Sequence, residues 1–459
     1  MKTLDYKRLL IGFGLFLFIM VLFLSGGKST FWNAVSLGGL MIYFWVFEVI
    51  PIYITALFPL ILAVPLGVLN KGDLASAYGD SNVYLFFGGF ILALGLEKWN
   101  VHEQVARGII SVVGDSKPRI LFGFLISTGF LSMWISNTAT ALMMLPMAMA
   151  IIHALPEDER KGKFALFLLL SVAYAASIGG VGTLIGSPPN TQMASILENT
   201  FHVKVDFFSW MKIGMPVSIL MLLSTYIFFY FSMGKERKEV HADFKLHKTP
   251  WTKDQLLVVS IFLFVVILWS FKEVFNTYLG FNYRDENVAL FGGVLMFLIP
   301  SFEHKKPLLV WKDTEKLPWG ILLLFGGGLA LAEMLEKNGV IEKLAGVFEN
   351  LNGVPFYMIL ITVVVIAVFA SEVLSNLAMV SIFVPLIAKF AIDFGIPITQ
   401  LAIPLTLGAS LAFMLPVGTP PNAIVFSSGY LHVNQMVRYG FVLNIIGIIL
   451  ITIFSILLL

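Results

Sequence analysis

Two kinds of polar motif interrupt the apolar runs of this chain, and each kind occurs twice. The first kind is Ser136-Asn137, followed by Thr138, and Ser375-Asn376, followed by Leu377; the second is Gly186–Asn190 and Gly418–Asn422, which read Gly-[Ser/Thr]-Pro-Pro-Asn. Hydroxyl and amide side chains donate hydrogen bonds, and a helix that begins after such a break directs unpaired N–H groups at it. Four such breaks meeting in one place could bind a carboxylate or a sulfate, and the preceding carbonyls could coordinate a cation.

Each motif taken alone has a simpler explanation. A single Ser-Asn pair in a membrane helix usually makes a hydrogen bond between helices, and a Pro-Pro pair usually marks a kink or a helix boundary. The recurrence of both motifs, in the same order, favours a binding function.

Composition places these motifs inside a membrane. Hydrophobic residues make up 58% of the 459 residues and charged residues only 13%, whereas soluble domains have about a quarter charged residues. A bilayer requires roughly 20 apolar residues per helical span, so the chain has room for about ten to twelve spans. The net charge of +2 indicates no nucleic-acid partner. The absence of cysteine excludes disulfides, thiolate metal sites and cysteine nucleophiles.

The length of the apolar runs predicts an all-α polytopic membrane protein with about eleven transmembrane helices and two re-entrant hairpins. Runs 118–155 and 354–392 are too long for one span and carry a Ser-Asn pair near the middle, so each is predicted to be a hairpin. Runs 164–198 and 398–430 contain the Gly/Pro segments and are predicted to be broken helices. We divide the chain into residues 1–80, a first repeat 81–233, residues 234–317 with cytoplasmic loops, and a second repeat 318–459.

Loop charges give the predicted orientation, because cytoplasmic loops collect lysine and arginine. Basic residues are concentrated at the N-terminus and in loops 234–254 and 302–317. Both ends of run 118–155 are also basic, as a hairpin entering from the cytoplasm requires. This scheme puts the N-terminus in the cytoplasm and the C-terminus outside. Lys389 is an exception that this scheme does not explain.

An internal repeat relates the two halves of the chain. An offset of 239 carries Phe86 to Phe325, Ser136-Asn137 to Ser375-Asn376, and Gly114 to Gly353, and an offset of 232 carries Gly186–Asn190 to Gly418–Asn422. In the predicted topology the copies run in opposite directions. Inverted repeats with broken helices in corresponding positions indicate a secondary transporter whose site lies near the bilayer midplane.

Ionisable residues inside apolar runs are candidates for function. Glu372 lies four residues before Asn376, and we favour a structural role for it over a proton or cation site; Glu333 is left open. A proton-coupled permease of similar design would use one of these two glutamates. A membrane enzyme or receptor is disfavoured, because the sequence has no metal-ligand spacing, no Ser/His/Asp set and no large soluble domain.

The motifs resemble those of the divalent anion/sodium symporter family, the INDY-like relatives of sodium-dicarboxylate cotransporters. That family has a Ser-Asn-Thr motif at each hairpin tip and two Gly-[Ser/Thr]-Pro-Pro-Asn loops. Here the first tip matches closely, while the second has Leu377 in place of threonine. The early segment Glu48-Val49-Ile50-Pro51 also resembles the family's Glu-x-Ile-Pro stretch.

The resemblance implies a homodimer with a scaffold and an elevator-type transport domain, the scaffold including residues 1–80 and 234–317. It implies substrate binding by ten residues: Ser136, Asn137, Thr138, Ser187, Pro188, Ser375, Asn376, Leu377, Thr419 and Pro420. One implied sodium site comprises Ser132, Ser136, Asn137 and Gly186. The other comprises Ser371, Leu374, Asn376 and Gly418.

The resemblance also implies the transported solutes, a class of di- and tricarboxylates that includes succinate, malate, fumarate and 2-oxoglutarate. Sodium-coupled symport is favoured, with Na⁺ as the coupling ion and no other cofactor. Sodium-independent dicarboxylate exchange stays open, because the resembled family also includes such exchangers. Sulfate transport stays open too, since Leu377 removes one hydroxyl donor worth about 0.5–1.5 kcal/mol. We expect a plasma-membrane location.

Overall fold

The computed structural model describes residues 2–113, 116–157, 159–237, 250–280, 282–303, 305–345 and 354–458. Within these ranges the chain is helical and forms no β-strand, so the all-α prediction is confirmed. Gly114 and Gly353 of the repeat, and Lys238, Lys245 and Lys248 of loop 234–254, lie outside the described residues.

The first helices precede the motifs. They are α1 (Lys2–Leu24), α2 (Thr30–Val46), α3 (Ile52–Thr55), α4 (Phe58–Leu62) and α5 (Lys71–Tyr78). Asn70 begins α5 with a capping box, in which its side chain accepts from the Asp73 N–H and the Asp73 carboxylate accepts from the Asn70 N–H.

Two sets of seven helices follow in the same order. The first set is α6 (Ser81–Lys98), α7 (Val101–Val113), α8 (Lys117–Ser132), α9 (Asn137–Ala154), α10 (Lys163–Gly180), α11 (Pro188–Phe201) and α12 (Phe207–Met233). Between the sets lie α13 (Lys253–Ser270), α14 (Lys272–Leu279) and α15 (Asp285–Leu298), with 3-10 helices at Gly234–Arg237 and Trp311–Lys316. The second set is α16 (Trp319–Lys337), α17 (Val340–Ala345), α18 (Phe356–Ala370), α19 (Asn376–Asp393), α20 (Thr399–Ala409), α21 (Pro420–Phe426) and α22 (Val433–Leu458).

The lengths of the apolar helices agree with a polytopic membrane protein. Among the described residues, eight helical segments are long and apolar enough to cross a membrane, and shorter apolar helices occur at Arg8–Leu24, Thr30–Val46, Ile52–Leu62 and Phe356–Ala370. The segment Lys163–Gly180 is the most enclosed, with 94% of its residues buried by other helices. It therefore lies at the centre of the protein, where a broken helix can be shielded from lipid.

The helices pack in two groups. Helices α8–α12 and α18–α22 pack mainly against one another, and we call them the motif group. Helices α2–α6, α13, α15 and α16 form the frame group, in which α6 packs along α15 and α16 packs against α5. The groups meet chiefly where α11 and α19 contact α16.

The two repeats meet at equivalent residues. The rings of Phe86 in α6 and Phe325 in α16 lie 4.8 Å apart, and these two residues are related by the repeat offset. In a two-fold arrangement a residue meets its own equivalent only at the axis. This contact is the one that the predicted inverted repeat requires if its pseudo-two-fold axis passes between α6 and α16.

Glycine permits the closest helix crossing in the motif group. A Cβ atom added to Gly179 of α10 would lie 2.1 Å from the carbonyl oxygen of Gly129 in α8. Backbone atoms cannot move aside as a side chain can, and small residues are what allow membrane helices to approach this closely. Gly179 thus sets the distance between the first hairpin and the broken helix.

We predict that Gly179→Ala separates α8 from α10 and lowers the free energy of unfolding in detergent by about 1–3 kcal/mol, as overpacking does. Thermal unfolding measures the change. Gly39→Ala is the control, because Gly39 is an exposed residue of α2 with no heavy atom within 4 Å of the added carbon. Equal unfolding midpoints for the two variants would contradict the proposed role of this crossing.

Candidate functional site

All four motifs line one cavity, whose volume is about 670 Å³. The lining includes each of the ten residues predicted to bind substrate: Ser136, Asn137, Thr138, Ser187, Pro188, Ser375, Asn376, Leu377, Thr419 and Pro420. The structure thus brings together residues nearly 300 positions apart in the chain, from position 136 to position 420. Such convergence is what a single site between two repeats requires.

Each hairpin tip presents the start of a long helix to this cavity. In the first tip, α9 begins at Asn137, and the Ser136 hydroxyl accepts a hydrogen bond from the Ala139 N–H at 3.3 Å. In the second, α19 begins at Asn376 and follows Ser375. The first N–H groups of a helix have no partner inside it. Those of Asn137, Thr138, Asn376 and Leu377 are therefore available to an anion.

The other two breaks differ from the sequence expectation. Helices α11 and α21 begin at Pro188 and Pro420, and a second proline follows in each. Proline has no N–H group, so the first two positions of these helices donate nothing. The expectation that all four breaks present free N–H groups is therefore wrong for this pair.

The asparagines of these segments hold the breaks in shape. The amide nitrogen of Asn190 donates to Gly180 O at 2.9 Å and Thr183 O at 2.8 Å. The amide nitrogen of Asn422 donates to Ala412 O at 3.0 Å and Leu415 O at 2.9 Å. The offset of 232 relates each donor and acceptor of one set to its counterpart in the other. Each asparagine thus pairs two carbonyls that the helix break leaves without intrahelical partners.

Oxygen atoms cluster beside the first hairpin tip, at the first predicted sodium site. One terminal atom of the Asn137 amide lies 2.8 Å from Ser132 Oγ, 3.1 Å from Ala176 O and 3.2 Å from Gly186 O. With nitrogen in that position, the amide donates to these three oxygens. This orientation satisfies the amide, because the opposite one would bring four oxygens together. The hydroxyl, amide and carbonyl groups are of the kinds that coordinate cations at broken helices, so the residue types present suit a sodium ion. Ser132 and Gly186 are buried behind the cavity wall, while Ser136 and Asn137 line it.

The second predicted sodium site is arranged differently from the first. Ser371 is fully buried, and its hydroxyl donates to Val368 O at 2.9 Å. The buried Asn376 Oδ1 accepts no hydrogen bond from any of the described residues. Asn376 and Gly418 line the cavity, whereas Ser371 and the half-buried Leu374 do not.

Charged residues also line the cavity. Glu48, Glu97 and Lys316 line it, together with Tyr53. The sequence did not assign these four residues to the site, because the frame group brings them to it only through tertiary packing. Lys316 belongs to loop 302–317, so its part of the cavity lies toward the side predicted to be cytoplasmic.

The remaining ionisable candidates have partners. Lys337 pairs with Asp73 and Glu333, both at 2.7 Å. Lys389, which the charge scheme left unexplained, pairs with Asp393 one helical turn away at 3.0 Å. Glu372 accepts bonds from the N–H groups of residues 413–415, in agreement with the favoured structural role. No group of three His, Cys, Asp or Glu residues suited to a metal occurs in the described ranges.

Residues 6–458 match the family model described as "Sodium:sulfate symporter transmembrane region". The chain belongs to this family. It is 36% identical to the sodium-dependent dicarboxylate transporter SdcS of Staphylococcus saprophyticus, over 96% of this chain and 89% of the relative. It is 36% identical to SdcS of Staphylococcus aureus strain USA300, over 95% of this chain and 88% of the relative.

These matches confirm that the protein is a multi-pass membrane transporter of the resembled family. The YdaH transporter of Alcanivorax borkumensis, which has an unusual topology, is similar in structure with a TM-score of 0.58. That similarity covers 83% of this chain and 86% of YdaH at 14% identity, and it concerns the fold alone.

We predict that Asn190→Ala and Asn422→Ala each weaken anion binding as well as stability. Asn190→Ala removes the side-chain donor to Gly180 O and Thr183 O, and Asn422→Ala removes the donor to Ala412 O, while Leu415 O keeps its bond from Gly418 N. Each carbonyl left unpaired costs about 1–3 kcal/mol. Thermal unfolding and binding of labelled succinate measure the two effects. Asn338→Ala is a matched control: the Asn338 amide also donates to two carbonyls, Val68 O at 2.9 Å and Met334 O at 2.7 Å. Asn338 follows α16 outside the four motifs, whereas Asn190 and Asn422 each follow directly after two prolines that line the cavity. Equal loss of binding in all three variants would show that the breaks have no special role.

Proposed function

We propose that this protein imports dicarboxylates of the succinate, malate, fumarate and 2-oxoglutarate class by symport with sodium. The observation that carries the proposal is the convergence of both hairpin tips and both Pro-Pro segments on one cavity. The SdcS relatives, named as sodium-dependent dicarboxylate transporters, support the choice of solute and ion.

The two hairpin tips suit the two ends of a dicarboxylate. One carboxylate would accept from the first N–H groups of α9 and the hydroxyls of Ser136 and Thr138, and the other from the N–H groups at the start of α19. Anions are stabilised at helix N-termini by these donors and by the helix dipole. Leu377 lacks a hydroxyl, but its backbone N–H is unaffected by the side chain. The second tip therefore retains the donors that an anion needs.

Sodium would occupy the oxygen cluster beside each tip. In the first repeat the ligands would be Ser132, Ser136, Asn137 and Gly186; in the second they would be Ser371, Leu374, Asn376 and Gly418. Broken helices of transporters coordinate cations with such unwound carbonyls. The positive ion would offset part of the substrate's charge in a site whose four motifs contain no arginine or lysine.

We further propose an elevator mechanism, in which the motif group moves against the frame group. The N-terminus would be cytoplasmic, the C-terminus outside, and the protein a homodimer of the plasma membrane. In this orientation the part of the cavity lined by Glu48 and Lys316 lies on the cytoplasmic side, and we propose that the conformation described is inward-open.

An ion cluster joins the two groups on the opposite side. Lys272 at the start of α14 lies 3.3 Å from Asp206, which caps α12 of the motif group, and 2.8 Å from Asp285 of α15. Burial alone would lower the pKa of Lys272, but Asp285 and Asp206 outweigh it and raise that pKa. The ammonium therefore stays charged at neutral pH and holds the outer ends together in the inward-open state.

The function is tested by labelled-succinate uptake into proteoliposomes under an inward sodium gradient. We predict saturable, sodium-dependent uptake that Asn137→Ala and Asn376→Ala each reduce by roughly 10- to 100-fold, since each removes bonds to charged ligands worth about 1.5–3 kcal/mol. Asn338→Ala should transport normally. Normal transport by both cavity variants would refute the site. If uptake strictly required dicarboxylate inside the vesicles, the mechanism would be exchange and not symport. If the protein took up sulfate but not succinate, the transported solute would be sulfate.

We predict that Lys272→Met releases the outer contact and shifts the population toward the outward-open state, by roughly 5- to 150-fold for a coupling of 1–3 kcal/mol. The natural chain has no cysteine, so Ala423→Cys in the cavity lining provides a single reporter. Membrane-impermeant maleimide should label it faster from outside when Lys272 is replaced. The control is Lys389→Met, whose ion pair lies within one helix. An unchanged labelling rate in Lys272→Met would show that this ion cluster does not hold the outer ends together.

A further inference from the structure

Glu372 is a buried carboxylate at the second hairpin tip, between α18 and α19. Only 3% of its surface is exposed. Its Oε1 accepts from Phe413 N at 2.8 Å, Met414 N at 2.9 Å and Asn444 Nδ2 at 2.7 Å. Its Oε2 accepts from Met414 N at 3.0 Å and Leu415 N at 3.1 Å.

All these partners are neutral. Of the ion pairs that the described residues form, none includes Glu372. Hydrogen bonds from backbone N–H groups stabilise a carboxylate, but they do not cancel its charge. An ionisable group inside the membrane is costly and usually has a function. The tip therefore holds a buried negative charge with no cationic side chain bound to it.

The first repeat shows that this charge is not needed to shape the break. The offset of 239 relates Glu372 to Met133, and the offset of 232 relates Leu415 to Thr183. In the first repeat the Thr183 hydroxyl donates to Met133 O and accepts from Gly186 N at 3.0 Å. A neutral hydroxyl thus joins the hairpin tip to the broken helix. In the second repeat Leu415 has no hydroxyl, and the Glu372 carboxylate makes the connection.

Glu372 lies beside the second proposed sodium site. A Cβ atom on Gly418 would be 3.2 Å from Glu372 Oε2, so the carboxylate is next to the Gly418 backbone. The buried Asn376 Oδ1 at the same tip bonds to none of the described residues. A negative charge and an unpaired oxygen together suit a cation and repel an anion.

We propose that Glu372 makes substrate binding depend on sodium in the second repeat. This inference rests on the proposed function. While the cation site is empty, the buried carboxylate repels the dianionic substrate across a medium that screens charge poorly. A bound sodium ion is attracted by the carboxylate and offsets that repulsion. The charge thus strengthens the thermodynamic linkage between cation and anion, which is reciprocal. Glu372 is a positioning residue that acts through the cation.

The experiment compares succinate affinity at saturating sodium and in its absence, with choline as the replacement, for the full-length protein in detergent. The linkage is measured by the dissociation constant for succinate without sodium divided by the dissociation constant at saturating sodium. In Glu372→Gln we expect that ratio to fall at least about tenfold, and the half-saturating sodium concentration to rise by a similar factor, from the loss of one charge at close range. Glu372→Asp keeps the charge and should keep most of the linkage.

Two further variants separate charge from folding. Asn444→Ala removes a neutral donor to Glu372 but keeps the charge, so stability should fall while the ratio is retained. Glu372→Met combined with Leu415→Thr gives the second tip the neutral chemistry of the first repeat, and it should fold even where Glu372→Gln does not. It should also lose the linkage.

The inference is overturned if the folded neutral variants bind succinate with the wild-type ratio. It is also overturned if Asn444→Ala loses the linkage as fully as the neutral variants do, because hydrogen bonding rather than charge would then control it. The wild-type measurement tests the proposed function separately. A wild-type protein that binds no succinate, or binds it equally without sodium, fails at that step, before any variant is compared.

Discussion

The structure depends on satisfying backbone groups where helices are interrupted away from water. A broken helix at membrane depth leaves N–H and C=O groups that lipid cannot pair, and each unpaired group costs several kcal/mol. Here the breaks are enclosed by other helices, and side chains pair the carbonyls on the inner side. Asn190 and Asn422 do this with the same two bonds in each repeat. The N–H groups at the hairpin tips that no side chain pairs face the cavity. The need to stabilise the breaks therefore also determines where a ligand can bind.

The two repeats stabilise equivalent helix breaks with partly different side chains. The asparagine bonds are retained in both, and both hairpin tips begin a long helix immediately after a serine. The link from tip to broken helix differs, being the Thr183 hydroxyl in one repeat and the Glu372 carboxylate in the other. The link between tip and broken helix is therefore kept in both repeats, whereas the charge of the group that makes the link is not. That difference allows two sites of similar shape to differ in their affinity for a cation.

The sequence was sufficient to identify the motifs and the repeat, because polar residues and Pro-Pro pairs are conspicuous in apolar runs. It also placed the breaks between α8 and α9 and between α18 and α19 within the predicted hairpin runs. It could not show which faces of the helices meet, since helices that are apolar all round carry no amphipathic signal. The contact of Phe86 with Phe325, and the approach of Tyr53 and Lys316 to the cavity, depend on that packing. The loss of N–H donors at Pro188 and Pro420 was readable from the sequence, since only the chemistry of proline is needed.

Asn137 and Asn376 explain how one residue can serve two ligands of opposite charge. Each is the first residue of its helix, so its backbone N–H is directed out of the helix end. Its side-chain amide extends separately and, in the first repeat, lies beside Ser132, Ala176 and Gly186. In the proposed function the N–H would contact the anion while the amide oxygen contacts the cation. Ordering such a residue for one ligand lowers the entropy cost of binding the other. Coupling would then begin within a single residue at each tip, before any movement of the motif group against the frame group.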